Sequence, residues 1–190
     1  MVELVLYHHA LGLTDGVRSL AEEVRDAGHT VHTPDLYDGN TFADLDSGLG
    51  YAKQVGFGAI LELGKTAAEG LPNDLVYAGI SLGAMPAQAL AQTRPGARGA
   101  VLISAAFPPS EFDGPWPDGV PLQIHMMEGD EFVAEGDLDA AREIAASTRD
   151  AELFLYQGEK HLFVDKSLPD HDEGAATDFL EQMVSFLGRV

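Results

Sequence analysis

The chain of 190 residues has no cysteine, a single tryptophan and only 11 basic residues against 31 acidic ones. Without cysteine there can be no disulfide, no thiolate metal site and no thiol nucleophile. The shortage of positive charge leaves a formal net charge of −20. On Coulomb grounds this makes nucleic acid and anionic membrane surfaces poor partners and repels strongly anionic substrates. No apolar run reaches membrane length. The amino-terminal stretch MVELVLYHH has no basic leader and too short an apolar segment for a signal peptide, so the expected location is cytoplasmic. Internal repeats and disordered linkers are also missing, and the acids spread through helices and loops as a solvated face.

What remains is a hydrophobic content of 45%, enough for one globular domain over residues 1–190 with a sheet covered on both faces. Val2 to Tyr7 predicts a first strand. Thr14 to Ala27 predicts a helix, with Val17, Leu20, Ala21 and Val24 at helical spacing. His29 to Thr33 predicts a short second strand. Asp35 to Gly48 reads as a polar surface loop carrying Tyr37 and Phe42, and Leu49 to Glu69 as one helix. Further strands are predicted at Leu75–Ala78, Gly99–Ser104, Pro121–Met127 and Glu152–Tyr156, with helices from Leu82, at Asp137–Ser147 and at Asp172–Leu187. Residues 105–119, AAFPPSEFDGPWPDG, form a proline-rich loop too short for a lid domain. Strands that alternate with helices and read as continuous apolar runs predict an α/β fold with a mostly parallel sheet of about six strands.

The most informative stretch is Gly79-Ile80-Ser81-Leu82-Gly83, a G-x-S-x-G sequence lying where a strand turns into a helix. On so sharp a turn a side chain two residues to either side of the serine would collide with its neighbours, which explains the glycines. The turn lifts the Ser81 hydroxyl clear of the sheet and aims the Leu82 N–H at whatever oxygen lies beside it. Pro86 is tolerated if the helix starts near Leu82, because the N–H it lacks is then one of the first four.

Active sites of parallel sheets lie beyond the carboxyl ends of the strands. Asp130 and His161 follow later strands there, and the order Ser, Asp, His is that of an α/β-hydrolase. Imidazole has the pKa to take a serine proton at neutral pH, and a carboxylate holds the ring in the required tautomer. His171, His29, His8 and His9 compete for the base role, and Glu128 is the alternative acid in an acidic cluster over 128–139. His125 lies within a strand and reads as a core residue.

A second oxyanion donor is expected from the loop after the first strand, with Ala10 N–H the candidate beside Leu82. His8 and His9 invite a metal reading, but neighbours in an extended strand point to opposite faces, so no metal is expected. His9, Tyr37, Phe107 and Trp116 are candidates for the substrate pocket, as is Phe42.

Taken together, HHALGLTDGV, TPDLYDGNTF, YAGISLGAMP, HMMEGDEFV and GEKHLFVD resemble the dienelactone hydrolase family of α/β-hydrolases across nearly the whole chain. The resemblance implies a minimal sheet without a cap domain, a triad at Ser81, Asp130 and His161, and no cofactor. Three positions depart from the family's best-known members. Ser81 stands where they have cysteine, His9 where they have a glutamate that activates the thiol, and Asp165 where they have an arginine that binds the substrate carboxylate. The first two changes fit each other, since a serine has no resting thiol to activate. The third, with the acidic balance, argues against an anionic dienelactone.

The expected activity is hydrolysis of a small, neutral or cationic carboxylic ester, lactone or thioester through an acyl-serine. An acyltransferase, a peptidase and a non-catalytic binding protein on the same fold are the alternatives. Monomer and homodimer both stay open.

Overall fold

The computed structural model describes residues 1–133 and 136–190, so Glu135 of the acidic cluster lies outside the described residues. Strands β1 (Glu3–Tyr7), β2 (Thr30–His32), β3 (Val76–Ile80), β4 (Gly99–Ile103), β5 (Leu122–Met127) and β6 (Ala151–Tyr156) form one sheet in the order β2-β1-β3-β4-β5-β6. All five pairings are parallel. Helices α1 (Asp15–Asp26), α2 (Leu45–Val55), α3 (Phe57–Glu69), α4 (Ala84–Thr93), α5 (Asp137–Ser147) and α6 (Glu173–Leu187) cover it.

Alternation along β1 shows how the layers divide. Leu4 and Leu6 pack with Val17, Leu20 and Val24 of α1 and with Phe179 and Met183 of α6. Val5 and Tyr7 pack on the other face with Ala52 of α2, Ile60 of α3, Ala87 and Leu90 of α4 and Ile144 of α5. Both faces are therefore dry, which is why these strands read as unbroken apolar runs. The architecture is that of an α/β-hydrolase, with no further domain over the sheet among the described residues.

Two predicted segments differ. The loop expected over 35–48 ends early, because the Asp44 carboxylate accepts from the Ser47 N–H at 2.8 Å and caps α2 from Leu45. The single helix expected over 49–69 is two, α2 and α3, broken at Gly56, whose φ of 95° lies in the left-handed region. A short 3₁₀ turn at Pro109–Phe112 also interrupts the proline-rich loop.

Topology places the site. The chain runs outward from β1 to β2 and then returns to β3 on the other side of β1, so the carboxyl ends of β1 and β3 flank the point where the winding reverses. Register then sets which loops meet. Tyr7 pairs with Gly79 and Ile80 with Ile103, which brings residues 8–12 and Ser104 to either side of Ser81. Met127 pairs with Tyr156, which brings together the loops that carry Asp130 and His161.

Candidate active site

Ser81 has a φ of 52°, one of four non-glycine residues in the left-handed region among the described residues. Such a conformation costs on the order of 1–3 kcal/mol and persists only where the surroundings enforce it. Here the enforcement is crowding: a Cβ on Gly79 would run into the Gly83 carbonyl, and one on Gly83 would lie 2.5 Å from Tyr7 O and 2.6 Å from His8 O. Ser81–Gly83 form a 3₁₀ turn before α4 begins at Ala84, so Pro86 falls in the first turn, where its missing N–H matters least.

Ser81 Oγ lies 2.7 Å from His161 Nε2, and His161 Nδ1 lies 2.6 Å from Asp130 Oδ2. With Asp130 ionised, Nδ1 carries the proton and donates it to the carboxylate, leaving Nε2 to accept from the serine hydroxyl. Asp130 is 1% exposed, and its other oxygen accepts from the Phe132 N–H at 2.9 Å. From the other side, the Ser104 hydroxyl donates to the His161 carbonyl at 2.6 Å. The Phe132 ring lies 4.9 Å from the imidazole. The competing groups lie elsewhere. Glu128 is exposed and accepts from Gln157, His171 Nδ1 meets the Phe163 carbonyl, and His29 Nδ1 accepts from Val2 N–H. His125 bonds to Tyr156 and stacks on Phe154, and burial holds its pKa down at about 3, as suits a core residue.

The loop after β1 is pinned from two sides. His8 Nε2 accepts from Leu36 N–H at 3.0 Å, so Nδ1 carries a proton and donates it to the His9 carbonyl at 2.7 Å. Burial lowers the pKa of His8 to about 4, which keeps it neutral. His9 Nδ1 accepts from Leu11 N–H, and its Nε2 donates to Asp165 Oδ2 at 2.8 Å. Asp165 also accepts from the Thr14 hydroxyl at 2.5 Å and from the Ser167 hydroxyl and N–H at 2.6 and 2.8 Å. Burial pushes its pKa up, but these hydrogen bonds outweigh that and hold it down at about 2. Between these fixed points the Ala10 N–H meets no acceptor among the described residues. The rings of His8 and His9 serve different partners, and no group of three potential metal ligands occurs among the described residues.

A cavity of about 170 Å³ opens over Ser81, lined by Leu45, Leu49, Ser81, Leu82, Ser104, Ala105, Phe107, Phe132, Asp137 and His161. A larger one of about 510 Å³ lies at the other end of β5 and β6, near Arg149, Glu152 and Arg189. Arg189 and Glu152 pair there at 2.8 Å. Its lining holds no serine or histidine, whereas the smaller cavity holds Ser81 and His161.

Of the residues expected to line the pocket, Phe107 does, held by Gln88 through its N–H at 3.0 Å and its carbonyl at 2.7 Å. Four others do not, His9, Tyr37, Phe42 and Trp116. Tyr37 is buried against His8, Phe42 and Tyr51, which draws Phe42 into the same aromatic cluster. Trp116 donates to the Val120 carbonyl at 2.7 Å, far along its own loop. His9 is turned onto Asp165. Asp165 itself is sealed off at 1% exposure, so it cannot set the charge preference of the cavity as its position in sequence suggested. The carboxyl group that does line the cavity is Asp137, at a position where the sequence predicts only the start of a helix. Leu45 and Leu49 line it because α2 begins at Leu45, four residues before the helix that the sequence predicts. The buried Gln88, four residues before Gln92 on an apolar helix, was a signal that could have been found: Gln92 likewise donates to the carbonyls of Pro109 and Gly114.

Fold and site together define an α/β-hydrolase. The model for the dienelactone hydrolase family matches residues 2–190. The chain belongs to that family, a family of hydrolases. It is similar in fold to the structure named m3DLH, with a TM-score of 0.81 and 20% identity over 99% of this chain and 86% of the other. The dienelactone hydrolase of Anabaena variabilis gives 0.69 and 16%, over 99% and 86%. The dienelactone hydrolase-like promiscuous phosphotriesterase P91 from metagenomic libraries gives 0.75 and 18%, over 100% and 86%. No curated protein sequence matches the chain. Among the described residues no helix is long and apolar enough to cross a membrane.

Proposed function

We propose that the protein is a serine hydrolase that cleaves a small carboxylic ester, lactone or thioester through an acyl-Ser81 intermediate, without a cofactor. The observation that carries this reading is the unbroken hydrogen-bond line from Ser81 Oγ through both nitrogens of His161 to buried Asp130.

Ser81 Oγ attacks the carbonyl carbon while His161 Nε2 takes its proton, and Asp130 stabilises the imidazolium that results. The negative charge that moves to the carbonyl oxygen is met by the N–H groups of Leu82 and Ala10. The bond to the leaving oxygen or sulfur breaks as Nε2 returns the proton to it. Water then attacks the acyl carbon, His161 takes a proton from it, and Ser81 leaves with that proton restored. The free acid and the protein in its starting state result. Each oxyanion donor of this kind contributes roughly 10²–10³ in kcat.

The test is intact mass after treatment with a reactive fluorophosphonate, followed by peptide mapping, with Ser81→Ala and His161→Ala alongside. One adduct on Ser81, lost in both variants, is expected. Folded protein that takes up no adduct would overturn the assignment and favour a binding protein on this fold.

A further inference from the structure

We propose that Asp137 determines the substrate class of this cavity, holding the ammonium group of an ester whose carbonyl carbon lies over Ser81, an inference that rests on the hydrolase reading above. The cavity walls are Leu45, Leu49, Leu82, Ala105, Phe107 and Phe132, with four polar side chains among them. Three of the four are already engaged: Ser81 and His161 with each other, and Ser104 with the His161 carbonyl. Among the described residues the Asp137 carboxyl makes no hydrogen bond, and it is the one acidic group lining the cavity.

Asp137 is half-buried in a largely apolar lining, so its carboxylate is less well solvated than a free one, and a cation that enters beside it relieves that cost. Burial raises the Asp137 pKa to about 6, the negative charges of Asp130 and Glu111 push the same way, and His161 pulls it down. At pH 7.5 the group is still mostly ionised, and its place as the first residue of α5 favours the anion. Phe107 and Phe132 add aromatic faces, the surfaces on which quaternary ammonium groups settle. The cavity's volume of about 170 Å³ admits a compact headgroup close to the scissile bond. A formal charge of −20 on the whole chain draws cations toward it from a distance.

The experiment compares ester pairs matched in shape and different in charge. One pair is acetylcholine and 3,3-dimethylbutyl acetate, with the ammonium on the alcohol side. The other is the methyl ester of betaine and methyl 3,3-dimethylbutanoate, with it on the acyl side. Binding is read by NMR titration on Ser81→Ala protein at pH 7.5, so that it does not depend on turnover. In at least one pair the cationic member is expected to bind about tenfold more tightly, and that preference to collapse in Ser81→Ala/Asp137→Asn and in Ser81→Ala/Asp137→Ser. Equal binding within both pairs would overturn the proposal. So would a preference that survives both double variants, or an equal loss of affinity for cationic and neutral members. Turnover of the same esters by the unmodified chain tests the serine chemistry separately. Discrimination in binding by protein whose Ser81 takes up no fluorophosphonate sinks the hydrolase reading and leaves the cation site standing.

Discussion

The imidazole of His9 and the carboxylate of Asp165 meet in a hydrogen bond of 2.8 Å across 156 residues of chain, and solvent reaches neither side chain. Asp165→Ala would leave His9 Nε2, the Thr14 hydroxyl and Ser167 without their shared acceptor. The expected loss is about 3 kcal/mol of folding stability by urea unfolding. His9→Phe should cost less, about 2 kcal/mol, because Thr14 and Ser167 still satisfy the carboxylate. Near-zero changes for both variants would mean that the pair is not formed in solution.

The same carboxylate gives the protein an acid limit. Its folded pKa, about 2, lies below the ordinary value of 3.8. The unfolded chain therefore binds a proton more readily, and the stability this contributes is complete above pH 4 and is lost as pH falls toward 2. The amount is about 2 kcal/mol. Unfolding midpoints between pH 5 and pH 2 should fall more steeply for the parent chain than for Asp165→Asn. Parallel curves would contradict the assignment.

Asp137 acts with the opposite sign. Its folded pKa, about 6, lies above its ordinary value, so the folded state holds the proton longer and stability drops as pH rises from 4 to 6. Asp137→Asn removes that penalty. Because the group is partly solvated, the expected gain at pH 7.5 is only ~1 kcal/mol, and none is expected below pH 4. A thermal unfolding midpoint that falls at pH 7.5 would show the carboxylate to be a structural partner instead of a strained one.

Gly83→Ala should be damaging out of proportion to its one added carbon. The new Cβ meets the carbonyls of Tyr7 and His8, which are backbone atoms of β1 and its loop and cannot swing away. A loss of about 2–3 kcal/mol is expected, together with slower fluorophosphonate labelling of Ser81. Labelling at the parent rate would mean that the turn tolerates the displacement.

The strands, a mostly parallel sheet and the positions of Ser81, Asp130 and His161 after their strands were legible because apolar runs and strand-to-helix turns are local signals. The cavity was much less so. Tyr37 and Trp116 are aromatic and sit in polar-looking loops, yet both are buried by contacts distant in sequence or by loop folding, and the sequence holds no sign of either. The case of His9 and Asp165 is sharper. Each was visible alone as a departure from the family pattern, at ends of the chain with nothing to link them. They prove to be each other's hydrogen-bond partners, a pairing that neither position announces alone. Gly16 shares that logic, since a side chain there would run into the Asp165 carboxylate.

The length of chain between partners also bears on how the protein is made. Ser81 and its helix emerge from the ribosome early, but His161 is 80 residues further on and the anchor of the β1 loop, Asp165, is later still. At synthesis rates of about 5–20 residues per second, several seconds separate Ser81 from His161. Throughout that interval the nascent chain carries Ser81 without His161, so the hydrogen-bond line from Ser81 to Asp130 can close only after the sixth strand has been made.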